Sequence, residues 1–225
     1  MRYYPVNLDI RGRRCLVVGG GRVGARKVNT LVACGAVLTV VSLDVDAGLQ
    51  RLAAEKTIDL KQRAYQSSDV EGMFLVIGAT DDEALNRQIN ADAEHHNLLC
   101  NIADRPKICN FILPAVVAHG DFVMTISTAG KSPAFAKHIR QRLEKEFGPE
   151  YGQLLDLMGA IRSRLLAEAH APEEHKPLFE RLIDANLLAL VREKNTDRID
   201  RLLATVLGPG YRYEQLMGAT QEARE

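Results

Sequence analysis

The sequence predicts an α/β fold in which a parallel sheet occupies the first half of the chain and a smaller all-helical region follows. Apolar strand-like runs alternate with helical patterns through the first half, and this order requires crossover connections and therefore a parallel sheet. From Ser132 onward the apolar residues recur only at helical spacing. The continuous apolar run 73–77 is typical of a strand that is buried on both faces.

The first strand, 14–18, leads directly into a G-x-G-x-x-G pattern whose glycines are Gly19, Gly21 and Gly24. In this pattern the first glycine allows a tight turn, the second lets the main chain approach a pyrophosphate, and the third brings the helix close to the sheet. A phosphate then lies at the positive end of that helix. The pattern indicates a Rossmann-type dinucleotide site, and the alternative is a glycine-rich turn that binds no nucleotide.

The residues after the glycines fit a strand–helix–strand unit. The helix has an apolar face and ends at Gly35, and a second apolar run covers 37–41. Asp44 follows about 20 residues after Gly24, where a carboxylate can accept hydrogen bonds from the adenosine ribose and favour NAD over NADP. Asp46 is the alternative residue for this role.

Helices and strands continue to alternate toward the middle of the chain. The predicted elements are a helix over 47–56, strands over 58–65 and 73–77, a helix from Asp81 or Asp82 to His95, and a strand over 98–102. An aspartate just before a helical pattern is a common N-cap. Two apolar runs, 111–117 and 122–126, are expected to be extended segments that leave the sheet.

The second half is predicted to be helical. Ser132 is a candidate N-cap with proline at the first helical position, and this helix ends at Gly148. Three further helices are expected over 150–169, 174–191 and 196–206. The polar tail after Tyr213 is expected to fray. A helical module of this size is marginally stable alone, so it is expected to pack on the first domain or on a partner subunit.

Composition argues against several classes of protein. The chain has 29 basic and 29 acidic residues, 5% aromatic residues and no tryptophan, so nucleic acid is not an expected partner. No apolar run reaches the roughly 18 residues of a membrane span, and the N-terminus lacks a signal-peptide pattern, so we expect a cytoplasmic protein with no membrane partner. The four cysteines and six histidines show no metal-ligand spacing, so no resident metal is expected.

A hydroxyl-rich loop at 127–132 precedes the first helix of the second half. It ends in Gly-Lys-Ser, but Thr125 stands where a P-loop needs glycine. Backbone N–H groups, hydroxyls and a lysine in such a loop can bind carboxylates. The candidate residues are Ser127, Thr128, Gly130, Lys131 and Ser132. The alternative is a plain capped helix with a solvated basic face.

Seven short strings then occur in a specific order and spacing. They are Tyr4-Pro5, Cys15-Leu16-Val17-Val18-Gly19-Gly20-Gly21, Ala25-Arg26-Lys27, Ala79-Thr80-Asp81-Asp82, Asn101-Ile102-Ala103-Asp104, Phe111-Ile112-Leu113-Pro114 and Ser127-Thr128-Ala129-Gly130-Lys131-Ser132-Pro133. Together they resemble the precorrin-2 dehydrogenase / sirohydrochlorin ferrochelatase family, the dehydrogenase–chelatase part of siroheme synthase.

The resemblance implies an enzyme that oxidises precorrin-2 to sirohydrochlorin with NAD in siroheme biosynthesis, and that in many members also inserts Fe²⁺. It implies a homodimer whose chain has an NAD-binding Rossmann domain at 1–113, a dimerisation and substrate-binding segment at 114–148 and a helical domain at 149–225. The fused form also carries a methyltransferase domain, which this chain is too short to contain, so a stand-alone enzyme is expected.

The resemblance also implies roles for single residues. Asp104 aligns with the family's key acid, and a carboxylate just past the last strand can accept protons in both reactions; the alternative is a turn residue before Pro106. The implied cofactor residues are Gly19, Gly21, Arg22, Val23, Gly24, Leu43, Asp44, Thr80 and Asp81. Thr80 and Asp81 can instead belong to a helix cap, and His119 is the histidine to test in metal insertion.

Two alternatives to the bifunctional enzyme stay open. One is a dehydrogenase without chelatase activity. The other is a non-catalytic NAD-sensing module that regulates a partner through its helical half.

Overall fold

The computed structural model describes residues 2–168 and 172–222. The chain divides into two compact units. The first unit contains the residues up to Leu113 together with Ala129–Lys131, and the second contains Pro114–Thr128 together with the residues from Ser132 onward.

The first unit contains the predicted parallel sheet with helices on both faces. Its strands are β1 (Arg14–Gly20), β2 (Val37–Val45), β3 (Asp59–Lys61), β4 (Leu75–Gly78) and β5 (Leu99–Ile102), and its helices are α1 (Arg22–Ala33), α2 (Ala47–Ala54) and α3 (Glu83–His95). All strand pairs are parallel, in the order β3-β2-β1-β4-β5. The order reverses between β1 and β4, and ligands of open α/β sheets bind at the carboxyl ends of the strands around such a point.

Alternating side chains of β1 enter two different apolar cores. Cys15 and Val17 join a core that includes Val28 of α1, whereas Leu16 and Val18 join a core on the other face. All four β1 side chains are at most 2% exposed. This double burial is why the strand is an unbroken apolar run, and it fixes β1 at the centre of the sheet.

The third strand is shorter than the predicted 58–65. Arg63 turns away from the sheet and forms two hydrogen bonds, at 2.8 and 2.6 Å, with the carboxylate of Asp69. Asp69 lies in a short 3₁₀ helix, Ser67–Val70, and is 5% exposed. A buried carboxylate needs such a partner, so the chain leaves the sheet after Lys61.

The second unit consists of a hairpin and helices. The runs expected to leave the sheet form an antiparallel pair, β6 (Ala115–His119) and β7 (Phe122–Ile126). The helices are α4 (Pro133–Glu146), α5 (Pro149–Ala167), α6 (Pro172–Asp184), α7 (Leu187–Arg192), α8 (Thr196–Leu207) and α9 (Tyr213–Glu222). Among the residues described, no helix combines the length and the apolar character needed to cross a bilayer.

Two predictions for the helical half are wrong. The single helix expected over 174–191 is two helices, because Asn186 adopts a left-handed conformation with φ of 59°. The tail after Tyr213 does not fray along its described length but forms α9, since Leu216 is 4% exposed in the helical core and Asp200 accepts a hydrogen bond from the Tyr213 N–H at 2.8 Å. The predicted helix end at Ala169 and His170 lie outside the described residues.

Candidate active site at the carboxyl edge of the sheet

The turn between β1 and α1 depends on two glycines whose missing side chains allow main-chain contact. Gly19 has φ of 110°, and a Cβ on it would overlap the carbonyl oxygen of Ala79 at the end of β4. A Cβ on Gly24 would overlap the carbonyl oxygen of Gly19. The first turn of α1 therefore lies directly against the ends of β1 and β4.

Gly21, between those two glycines, faces open space. A Cβ at this position would meet no atom within 4 Å. The N–H groups of the first helical turn, Arg22 to Gly24, have no acceptor within the helix, and no side chain caps them. Because a helix N-terminus with free N–H groups attracts anions, this turn fits the pyrophosphate of a dinucleotide.

Ser42 connects the end of β2 to the glycine turn. Its hydroxyl accepts a hydrogen bond from the Gly20 N–H at 2.8 Å and donates one to the carbonyl of Asp44 at 2.7 Å. The pairing of β1 with β2 shifts register between Val18 and Gly20, which makes room for this bridge. Ser42 was not predicted from the sequence, because a serine near the end of a strand carries no distinctive signal.

The structure separates the two aspartates considered for the ribose. Asp46 is the N-cap of α2, and its Oδ1 accepts a hydrogen bond from the Gly48 N–H at 2.7 Å. Asp44 is exposed, and its carboxylate forms no hydrogen bond or ion pair with the other described residues. Leu43, which is 66% exposed, adds an apolar surface beside it. Asp44 is therefore the carboxylate that can accept hydrogen bonds from a ligand.

At the end of β4, a buried asparagine organises the turn that carries Thr80 and Asp81. The Thr80 hydroxyl lies 3.1 Å from Oδ1 of Asn86, whose amide donates to the Thr80 carbonyl at 2.9 Å. Asp82 caps α3 through the Ala84 N–H at 2.8 Å. Asp81 and Asp82 were both candidates for the N-cap of α3, and the structure shows that Asp82 is the N-cap. Asp81 is exposed beside it. Asn86 was not found from the sequence, where it is one polar residue within a helix.

The outer edge of β5 is satisfied by side chains of the segment that follows it. The Cys100 N–H donates to Oδ1 of Asn110 at 2.8 Å, and the Ile102 N–H donates to Sγ of Cys109 at 3.1 Å. The amide of Asn110 also donates to the carbonyl of Leu98 at 2.7 Å. An edge strand presents unpaired main-chain groups, and here an asparagine and a cysteine take the place of a neighbouring strand.

Asp104 lies in the turn that this pairing holds. Its φ of 58° is left-handed, a conformation uncommon for residues other than glycine. The Cys109 thiol spans the turn, with its sulfur 3.4 Å from the Ile102 carbonyl and 3.2 Å from the Arg105 carbonyl. Burial raises the pKa of Cys109, so the group stays a thiol that can donate. The carboxylate of Asp104 is exposed and forms no hydrogen bond with the described residues.

The hydroxyl-rich loop is shaped by its own hydroxyl groups. Ser132 caps α4 by accepting from the Phe135 N–H at 3.2 Å, and the Thr128 hydroxyl accepts from the Ser132 N–H at 3.2 Å. Both hydroxyl groups accept hydrogen bonds within this turn. A ligand that binds to these hydroxyl groups must therefore break those hydrogen bonds. Ala129 has φ of 53°, which costs about 1–2 kcal/mol for a residue with a Cβ.

Within the first unit, the tip of this loop lies beside the Asp104 turn. A Cβ on Gly130 would lie 3.8 Å from the Cβ of Pro106, an ordinary contact distance. Lys131 is exposed next to it. Gly130 and Lys131 are therefore the predicted substrate residues that the structure places near Asp104.

The described residues contain no group of three or more potential metal ligands. His119, considered for metal insertion, has its Nε2 2.8 Å from the carbonyl oxygen of Phe147. Because a carbonyl can only accept, that nitrogen donates and ties β6 to the end of α4. His119 thus has a structural partner in the second unit.

Comparison with known proteins identifies both parts of the chain. Residues 6–115 match a family model described as NAD(P)-binding, and residues 124–146 match one described as the central part of sirohaem biosynthesis proteins. The siroheme synthase of Methylococcus capsulatus is 31% identical over 96% of this chain and 45% of its own length. That of Pseudomonas entomophila is 41% identical over 74% of this chain and 36% of its own length.

Over the residues it spans, the chain belongs to the siroheme synthase family. The chain spans less than half the length of these curated relatives. A solved structure named SirC, precorrin-2 dehydrogenase, superposes with a TM-score of 0.73 over 98% of this chain and 100% of its own, at 24% identity. This structural similarity supports the fold described above, a parallel sheet with helices followed by a helical region.

For this siroheme synthase relative, we expect Gly21→Val to weaken NAD binding by at least roughly tenfold, because the added side chain fills the space that a pyrophosphate needs. The fold should be unaffected, since a Cβ here meets no atom. Calorimetric titration with NAD⁺ measures the affinity. Gly159→Val, at another open glycine in α5, is the control and should bind normally. Normal NAD affinity in the Gly21 variant would contradict the glycine-turn assignment.

We expect Cys109→Ala to lower the free energy of unfolding by about 1–3 kcal/mol, because it leaves the Ile102 N–H without an acceptor. Cys109→Ser keeps a donor and an acceptor and should retain more of the stability. Hydrogen exchange of the Ile102 amide should be fastest in the alanine variant. Cys100→Ala removes a buried thiol that makes no such bond and serves as the control. Equal Ile102 exchange in the two alanine variants would show that the thiol does not support the turn.

Proposed function

We propose that the chain oxidises precorrin-2 to sirohydrochlorin with NAD⁺. The observation that carries this proposal is the shared location of an anion-binding glycine turn and an exposed acid, Asp104, at the carboxyl ends of strands β1 and β5. Family membership supports the tetrapyrrole substrate, since the relatives are named siroheme synthases.

The oxidation removes one hydride from carbon and one proton from the macrocycle. When bound, NAD⁺ accepts the hydride. The Arg22 and Val23 N–H groups would hold the pyrophosphate of this cofactor. Asp104 accepts the proton, and its exposed carboxylate can pass that proton to water after the product leaves. Thr80 and Asp81 follow the end of β4 and would line the bound cofactor.

The preference for NAD over NADP follows from Asp44. Its carboxylate has no partner among the described residues, so it can accept hydrogen bonds from both ribose hydroxyls. A 2′-phosphate at the same place would meet like charge. Asp46 does not compete, because its side chain caps α2.

The substrate is a polyanion, and the loop tip next to Pro106 offers it cationic and N–H groups. Gly130 has φ of 79°, and a Cβ on it would meet only Pro106 within 4 Å. Lys131 supplies positive charge for a substrate carboxylate. Arg105 contributes less to binding the substrate carboxylates than its charge suggests, because it forms an ion pair with Glu83 at 3.3 Å.

Iron insertion at the same site is the second activity that we propose. Two pyrrole N–H protons must leave as Fe²⁺ enters sirohydrochlorin, and Asp104 can accept them one after the other. Fe²⁺ is here a substrate.

A homodimer is part of the proposal. One face of the hairpin packs within the second unit, where Val117 is buried, whereas Val116 and Val123 are exposed at 44% and 51%. A second copy of the chain would cover this face.

The four free thiols are in keeping with a reducing cytoplasm.

The test is anaerobic incubation with precorrin-2 and NAD⁺, followed by sirohydrochlorin and NADH absorbance. Asp104→Ala should lower turnover by roughly a hundredfold or more, with NAD affinity within a few-fold. Asp59→Ala, at an exposed aspartate of β3, is the matched control. Unchanged turnover in the Asp104 variant would remove this residue from the mechanism.

The same assay decides between the proposal and its alternatives. A chain that binds NAD⁺ but yields neither product is a sensor. Adding Fe²⁺ and then following siroheme absorbance separates a bifunctional enzyme from a dehydrogenase without chelatase activity.

A further inference from the structure

Ser42, near the end of β2, has a hydroxyl group that both accepts and donates a hydrogen bond. It accepts from the Gly20 N–H at 2.8 Å and donates to the Asp44 carbonyl oxygen at 2.7 Å. Because an amide N–H can only donate and a carbonyl can only accept, the two partners fix the direction of both bonds. This half-buried hydroxyl therefore joins the glycine turn to the residue that carries the exposed carboxylate.

Gly20 is tied to the end of β2 a second time. Its carbonyl oxygen accepts a hydrogen bond from the Asp46 N–H at 2.9 Å, so its two main-chain polar groups bind residues on either side of Asp44. A Cβ on Gly20 would lie 2.7 Å from the Asp44 carbonyl oxygen and 3.0 Å from the Cβ of Ser42. These distances leave no room for a side chain, and the end of β2 thus lies directly against the glycine turn.

The main chain beside Asp44 is also held from the side of β3. Gln62, directly after β3, donates from its side-chain amide to the Leu43 carbonyl oxygen at 3.2 Å. The carboxylate of Asp44, in contrast, forms no hydrogen bond or ion pair with the other described residues. The contacts of the neighbouring main chain therefore set the position from which this carboxylate can reach a ligand.

A dinucleotide contacts two points of the site at one separation, because its pyrophosphate and its adenosine ribose belong to the same molecule. We propose that Ser42 is a positioning residue that sets the separation between the glycine turn and the Asp44 carboxylate, and that the preference for NAD over NADP depends on it. A carboxylate at the right distance accepts hydrogen bonds from the ribose hydroxyls and repels a 2′-phosphate. This inference rests on the proposed function, in which Asp44 binds the ribose.

Ser42→Ala removes the hydroxyl and keeps the Cβ. We expect the affinity for NAD⁺ to fall about tenfold and that for NADP⁺ to change by less than roughly twofold, because a displaced carboxylate binds the ribose less well but also repels the 2′-phosphate less. Calorimetric titration with each nucleotide gives the ratio of the two affinities and needs no tetrapyrrole. Ser42→Thr keeps a donor and an acceptor and should retain most of the wild-type ratio.

The control is Ser67→Ala, which removes a hydroxyl from the 3₁₀ helix after β3 and should leave both affinities at the wild-type values. A serine that only supported the fold would lower both affinities by the same factor when replaced. An equal loss for the two nucleotides, or no loss for either, would overturn the proposal.

A double variant separates this inference from the role proposed for Asp44. If Ser42 acts through Asp44, Ser42→Ala should change the ratio by less than roughly twofold once Asp44→Ala is present, and a full effect in that background would refute the coupling. An unchanged ratio in Asp44→Ala alone would refute the ribose contact of the proposed function. A changed ratio in Asp44→Ala, beside an unchanged one in Ser42→Ala, would refute the role of Ser42 only.

Hydrogen exchange of the Gly20 amide tests the bridge itself. Exchange should be faster in Ser42→Ala than in the wild type or in Ser67→Ala, because the Gly20 N–H loses its acceptor. Equal exchange in the three proteins would show that the serine does not hold the glycine turn in solution, and the proposal would then fail.

Discussion

The contact between the main chain of Gly19 and the carbonyl of Ala79 is the constraint on which the site depends. It brings the ends of β1 and β4 together where the strand order reverses, and the contact of Gly24 with Gly19 then sets α1 against them. A side chain at Gly19 or Gly24 would push these elements apart. The open face at Gly21 and the free N–H groups of α1 follow from this close packing.

Asp104, at the other end of the site, lies in a turn that side-chain hydrogen bonds hold in place. β5 is an edge strand, and its outward N–H groups are paired by Asn110 and Cys109 instead of a sixth strand. The same thiol spans the turn that contains Asp104. In the proposed function, cofactor binding and proton acceptance thus belong to the ends of two strands of one sheet, which sets their relative positions.

The fold, including the glycine turn after β1, could be predicted because its signals are local. The apolar strand 73–77 and the glycines after Val18 follow short-range rules of burial and backbone conformation. The short β3 could not be predicted, since it depends on the pairing of Arg63 with Asp69. Helix α9 was missed because the burial of Leu216 arises from tertiary packing. Ser42, Asn86 and Cys109 were missed because each acts through hydrogen bonds to a nearby strand end or turn, and such bonds leave no periodic pattern in the sequence.

A crystal structure of the chain with NAD⁺ tests the central claim most directly, because it locates both ends of the cofactor relative to the sheet. The pyrophosphate should accept hydrogen bonds from the first N–H groups of α1, with the adenosine ribose at Asp44 and the nicotinamide ring on the side of Asp104. A pyrophosphate bound away from Gly21, or a nicotinamide ring directed away from β5, would contradict this account.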